Sequence, residues 1–240
     1  MTGTIWRLSW RTAVRRRRLL SWNVLVPVLL LVPVVTSGAA AAHRAVVVAV
    51  FVVFFGAYGS CIPLIRDAMS GWAEKVLLTG YGGRRWLVER TLASTAIDWV
   101  QLLPANLVLV ALIDAPAGLL PVLGVTALAL LFANLLGVVV AALVRALGEA
   151  ALGCAVLSLF ALHAAGVFRT PAPGSWRAVV EAWNPLRPMH ETWLAVLSGA
   201  AAPFPGSGFG GPVLASALAV GLVALGGSRL AGRIARTGAG

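Results

Sequence analysis

The chain has 240 residues, 60% of them apolar and only 11% charged, with a mean hydropathy of +0.91. A soluble domain carries about a quarter charged residues, so this composition excludes a soluble fold. The net charge of +11 raises the question of nucleic acid, but the basic residues are distributed by membrane topology and leave no aromatic-interleaved basic surface.

A spanning helix needs about 20 mostly apolar residues. Six such runs occur, at residues 22–42, 45–65, 92–113, 119–144, 150–167 and 213–230. With the N-terminus inside and alternating spans, the inside holds Arg7, Arg11, Arg15, Arg16, Arg17, Arg18, Arg66, Lys75, Arg84, Arg85, Arg90, Arg145, Arg229, Arg233 and Arg236. The outside holds only Arg44, Arg169, Arg177 and Arg187. That bias is the positive-inside rule. It predicts a multi-pass plasma (inner) membrane protein with both termini cytoplasmic. Usage of Ala, Arg, Gly and Val, with a single lysine, suggests a bacterial source.

In chain order, residues 5–18 form a basic amphipathic helix. Trp6, Trp10 and Ala13 or Val14 make one face, and Arg7, Arg11, Arg15 and Arg18 the other. Such a helix lies in the headgroup layer as an anchor, with its arginines near anionic lipid. The alternative, a signal peptide cleaved after residues 39–42, suits a shorter apolar run better. Pro27 and Pro33 kink the first span, which neighbouring helices tolerate. The second span ends on Gly56, Gly59 and Cys61, small residues that allow close helix approach.

Residues 65–90 are the longest polar interruption with helical patterning. Met69, Trp72, Ala73, Val76 and Leu77 fall on one apolar stripe, with Asp67, Ser70, Gly71, Glu74 and Lys75 round the other side. Gly80, Gly82 and Gly83 end that helix. Either it contacts a soluble partner or it simply lies on the membrane.

The third span carries Asp98, Gln101 and Asn106. An ionisable group in a membrane usually faces a cavity or a partner, so Asp98 is a candidate for a translocation path or a helix contact. Its place near the cytoplasmic end of the run 92–113 equally allows snorkelling. Asn134, the one central polar group of the fourth span, fits inter-helix bonding or substrate contact. Residues 168–212 form an external stretch starting at Phe168. In it the residue before Pro185 is pushed out of helical conformation. Two short helices on either side of Asn184 and Pro185 predict a re-entrant hairpin over 169–200, with Glu181 facing a polar vestibule or satisfying freed amides; a plain external loop is the alternative.

Several motifs fail on context. Residues 206–211 match G-x-G-x-x-G but follow no strand, and no Walker A loop exists because Lys75 follows Glu74. His43, His163 and His190 are scattered, so no metal site is expected. Cys61 and Cys154 read as two buried thiols. No catalytic set is present, and the chain reads as a non-enzyme.

Two stretches on this topology resemble the ABC-2 type permease family, the membrane subunits of exporters such as the daunorubicin-resistance type. The first is Asp67, Gly71, Glu74, Leu77, Leu78, Thr79 and Gly80, then Arg84 and Arg85, with Gly80 where the family usually has proline. The second is Ala165, Gly166, Val167, Phe168, then Pro173 with Trp176, then Asn184, Pro185, Leu186, and Glu191. Trp193 or Leu194 stands where the family has arginine. The resemblance implies one transmembrane domain over 1–240, whose loop 67–82 is a coupling helix seated in a separate ATPase. Asp67, Gly71, Trp72, Glu74, Lys75, Leu77 and Thr79 are then the coupling residues. Asp98, Asn134, Phe168, Glu181, Asn184, Pro185 and Glu191 belong to the path or re-entrant region. Trp6, Arg7, Trp10 and Arg11 anchor the interfacial helix.

The same resemblance implies two ATPase copies carrying ATP and Mg, a second permease, identical or related, and lipid around the spans. No cofactor is expected on this chain. The expected activity is export of a drug, antibiotic or other amphiphile. Lipid or lipid-linked glycan export, or a non-transporting assembly or regulatory role, are the alternatives.

Overall fold

Apolar runs of this length satisfy every backbone amide internally, which is why only helices form. The computed structural model describes residues 4–200 and 210–237, and these are helical without strands. The helices are α1 (Thr4–Arg15), α2 (Arg17–Thr36), α3 (Ala41–Met69), α4 (Trp72–Leu78), α5 (Gly83–Leu112), α6 (Leu119–Leu143), α7 (Leu147–Ala164), α8 (Trp176–Trp183), α9 (Leu186–Leu197) and α10 (Gly210–Thr237). Five of them, α2, α3, α5, α6 and α7, are long and apolar enough to cross a membrane. The run 213–230 lies within α10, a 28-residue helix. The motif at 206–211 falls largely outside the described residues.

Several boundaries move relative to the sequence reading, for one reason. Polar residues ride on the ends of spanning helices instead of ending them. The 30-residue α5 begins at Gly83 and carries Arg84, Arg85 and Arg90 on its first turns. The break between α1 and α2 sits at Arg16, so Arg17 and Arg18 open the first span rather than close the interfacial helix. That span ends at Thr36, short of residue 42, where Ser37 and Gly38 turn the chain.

The core has two apolar halves. One, at the end where the arginines gather, joins Ile5, Ala57, Leu64, Ala73, Trp86, Val138, Ala150, Ala231 and Ile234. The other joins Leu31, Val35, Val48, Leu109, Val122, Leu186, Met189 and Trp193. The closest helix pair, α3 with α6, runs through both. A Cβ at Gly56 would lie 2.8 Å from that of Ala133, and one at Gly137 would strike the backbone carbonyl of Ala57. The small residues predicted to permit close approach do so, and Gly137 is their counterpart on α6. Cys61 and Cys154 are buried, free thiols in this half of the core.

Candidate functional site

The loop after α3 is built by glycine. Helix α3 ends at Met69, and Gly71 adopts φ +68°, a left-handed turn that other residues enter only with strain, before α4 starts at Trp72. Gly80 and Gly82, at φ +74° and +82°, close the far side. Between them Ala73 is buried, and Trp72, Val76 and Leu77 pack partly against α3 and α10. Glu74, Lys75, Thr79 and Leu78 face outward, Leu78 being 80% exposed. Thr79 Oγ1 donates to the Val76 carbonyl at 2.7 Å and so finishes the helix.

One assignment changes here. Met69 leaves the apolar stripe and is exposed, because it belongs to α3 and the turn at Gly71 resets the helical phase. Leu77 turns inward toward Gly83, as its place on the apolar stripe requires, and Leu78 is the exposed apolar residue of α4.

Asp67 also takes a different place from the one expected. It lies on α3, and its carboxylate accepts from Arg90 Nε at 3.0 Å. Arg90 Nη1 donates onward to Ser9 Oγ at 2.8 Å. This clasp ties α1, α3 and α5, and neither Arg90 nor Ser9 was singled out in the sequence, since 23 and 81 positions separate the partners. Replacing Arg90 with Met leaves Asp67 half-buried and unpaired, at an expected cost of about 2 kcal/mol. Thermal unfolding in detergent and hydrogen exchange of the α1 amides measure it; wild-type exchange in α1 would mean that the clasp holds nothing.

Beyond the loop, Tyr81 donates to Glu89 Oε2 at 2.7 Å and lies under the Arg85 guanidinium, 4.9 Å from the ring centre. Burial and the Glu89 carboxylate push the Tyr81 phenol up from its usual range, so it remains a donor at neutral pH.

Midway along α5, Asp98 is buried. Its Oδ2 accepts from Asn134 Nδ2 at 3.0 Å, and Asn134 Oδ1 in turn accepts from Ser60. The carboxyl group rests on α3 at Gly59, where an added Cβ would lie 2.7 Å from Asp98 Cγ. Asp98 therefore does not snorkel toward water. It forms a polar layer between the two apolar halves, with Gln101 accepting from Asn23 of α2 at 3.2 Å.

A cleft of about 770 Å³ runs between the α1–α2 arm and the wall made by α3 and α5, and that layer borders it part-way along. Phe51, Phe54, Phe55, Leu19 and Ile62 line its length, and Arg16, Arg66, Asp67 and Arg90 its mouth.

On α1, the side turned to the bundle carries Ile5 and Ser9. Trp6 is exposed and Trp10 half-exposed, their ring centres 6.2 Å apart, with Arg7 and Arg11 also exposed. The remaining predicted residues gather at the opposite end of the molecule. Asn184 Nδ2 donates to the Ala161 carbonyl at 3.0 Å, and its Oδ1 accepts from Leu186 N, which fixes the break before Pro185. Helix α9 beyond it buries Leu186, Met189, Thr192, Trp193 and Val196 against the rest of the bundle. No residue of α8 is buried. Glu181 sits 3.7 Å from Arg187 and close to Gly166. Glu191 pairs with Arg187 at 2.7 Å on an exposed face, and Phe168 is also exposed.

Comparison with known protein families, characterised proteins and solved structures finds no match to this chain.

Proposed function

We propose that this chain is the membrane-spanning permease subunit of an ATP-driven ABC exporter, a six-span ABC-2 type domain in a bacterial plasma membrane with both termini cytoplasmic. In this reading α10 is the sixth span. The α8–α9 pair is a re-entrant hairpin, supported by the burial of α9 and the bonded Asn184 at its tip.

The observation that carries the reading is α4. A seven-residue helix between two spanning helices is held on its inner side by α3 and α10, and presents Glu74, Lys75 and Leu78 outward at the arginine-rich end. That is the geometry of a mechanical contact. Closure of two ATPase subunits on ATP and Mg pushes on α4, and the push passes into α3 and α10 as nearly rigid bodies. A second permease, identical or related, completes the path. An amphiphilic small molecule, drug or antibiotic is the substrate class that suits apolar walls, with lipid or lipid-linked glycan as the variant within this class.

One observation favours a second reading. Asp98 lies halfway along a spanning helix, where carboxylates serve proton-coupled carriers. Asp98→Asn separates the two: it abolishes transport driven by a proton gradient and leaves ATP-driven transport running.

The test of the main reading is purification of the tagged full chain in mild detergent, with mass spectrometry and an ATPase assay. The expected result is a stoichiometric P-loop ATPase that is lost when residues 72–79 become a Gly/Ser linker. A clean membrane protein with no ATPase would replace the exporter with an assembly or regulatory role.

A further inference from the structure

The cleft beside the α1–α2 arm has a shape and charge pattern that the export reading does not use. We propose that it is a binding site for one anionic phospholipid. The phosphate lies at Arg16 and Arg66, and an acyl chain lies along Phe51, Phe54 and Phe55.

Three observations converge on this occupant. The first is length. From Arg66 to Phe51 the cleft follows α3 for about 22 Å at ~1.5 Å per residue. Half a bilayer core plus one headgroup layer is about 21 Å thick. The cleft therefore matches one leaflet from its polar surface to its midplane. The polar layer of Asp98, Gln101 and Asn23 borders the cleft part-way down, level with Gly59, and the phenylalanines lie beyond it.

The second is charge. Of the four charged residues at the mouth, Asp67 is taken by Arg90. Arg16 and Arg66 are exposed and make no ion pair within 4 Å among the described residues, and the Asp67 carboxylate, whose close partner is Arg90, is also near enough to feel the Arg16 charge. Two guanidiniums facing the headgroup layer favour an anion there. Deeper in, Asp98 is turned onto Gly59 and Asn134, so its carboxyl packs into the wall beside the chain's path.

The third is the wall itself. Aromatic and aliphatic side chains line the depth, and α2 packs chiefly on α5 rather than on α3, which leaves the space between α2 and α3 for an acyl chain. A free phosphate would use the rim and leave that depth empty.

Native mass spectrometry of the purified full chain in a neutral detergent tests this, and it needs no ATPase, so its result is separate from the fate of the exporter reading. Long-chain phosphatidylglycerol is expected to bind as a single tight copy, ahead of phosphatidylcholine with the same chains. The double variant R16Q/R66Q should lose roughly thirtyfold in phosphatidylglycerol affinity, while R16K/R66K keeps most of it. A dihexanoyl phosphatidylglycerol should bind much more weakly than the long-chain lipid. Equal binding of the two headgroups, or an unaffected R16Q/R66Q protein with an unchanged melting curve, overturns the proposal. Competition by inorganic phosphate as strong as by the long-chain lipid would mean a free-anion site and overturn it too.

Discussion

Gly137→Val is expected to cost about 3 kcal/mol or more and to lower the melting temperature of the detergent-solubilised protein sharply. The added side chain has no flexible neighbour to displace. Its Cβ would meet the carbonyl of Ala57, and the Cys61 amide nitrogen lies only 3.1 Å away. Overpacking against side chains usually costs about 1–3 kcal/mol, and here the obstacle is the backbone of α3. Relief requires α6 to move away from α3 along the best-packed seam in the bundle, which also parts Asn134 from Ser60 and Asp98. Gly124→Val is the control on the same helix, because nothing stands within 4 Å of its Cβ. If both variants melt alike, the α3–α6 seam is looser than described.

If α4 is the coupling helix proposed above, Leu78→Asp reduces association with the ATPase at least tenfold without disturbing the fold. An 80% exposed leucine contributes little to the core, whereas a buried anchor at an interface commonly loses about 2 kcal/mol or more on disruption. Leu77→Asp should do the reverse and impair folding, since Leu77 packs against Gly83 and the core. Reversing Glu74 and Lys75 together should weaken coupling as well, and a bulky residue at Gly71 should tilt α4 through a strained turn costing about 1–3 kcal/mol. Substrate-stimulated ATPase activity in reconstituted vesicles is the readout. Wild-type stimulation in Leu78→Asp would remove α4 from the coupling role.

The membrane class and the long helices were legible because hydropathy over a long window is a strong signal that local detail cannot erase. The short helix after α3 was legible as an element but not in phase. A continuous 3.6-residue repeat through Met69 and Trp72 ignores the left-handed turn at Gly71, which shifts the facing of everything after it. Asp98 illustrates a related error. Counting the span from its first apolar residues places the acid near an edge, whereas α5 starts nine residues earlier than the apolar run at 92, at Gly83, and so carries Asp98 to its middle. The clasp of Asp67, Arg90 and Ser9 was beyond reach for a simpler reason. Nothing local marks which arginine among many will meet an acid on another helix.

The polar layer also bears on how the protein is made. An aspartate at the centre of a spanning helix costs about 2.5–3.5 kcal/mol to place in lipid. The donor that Asp98 uses, Asn134, lies on α6, which leaves the ribosome after α5. Helix α5 thus arrives before its partner exists, with only Gly59 and Ser60 of α3 already in place to shelter the acid. The bonding of Asp98 is therefore complete only when α6 emerges and brings Asn134 to it.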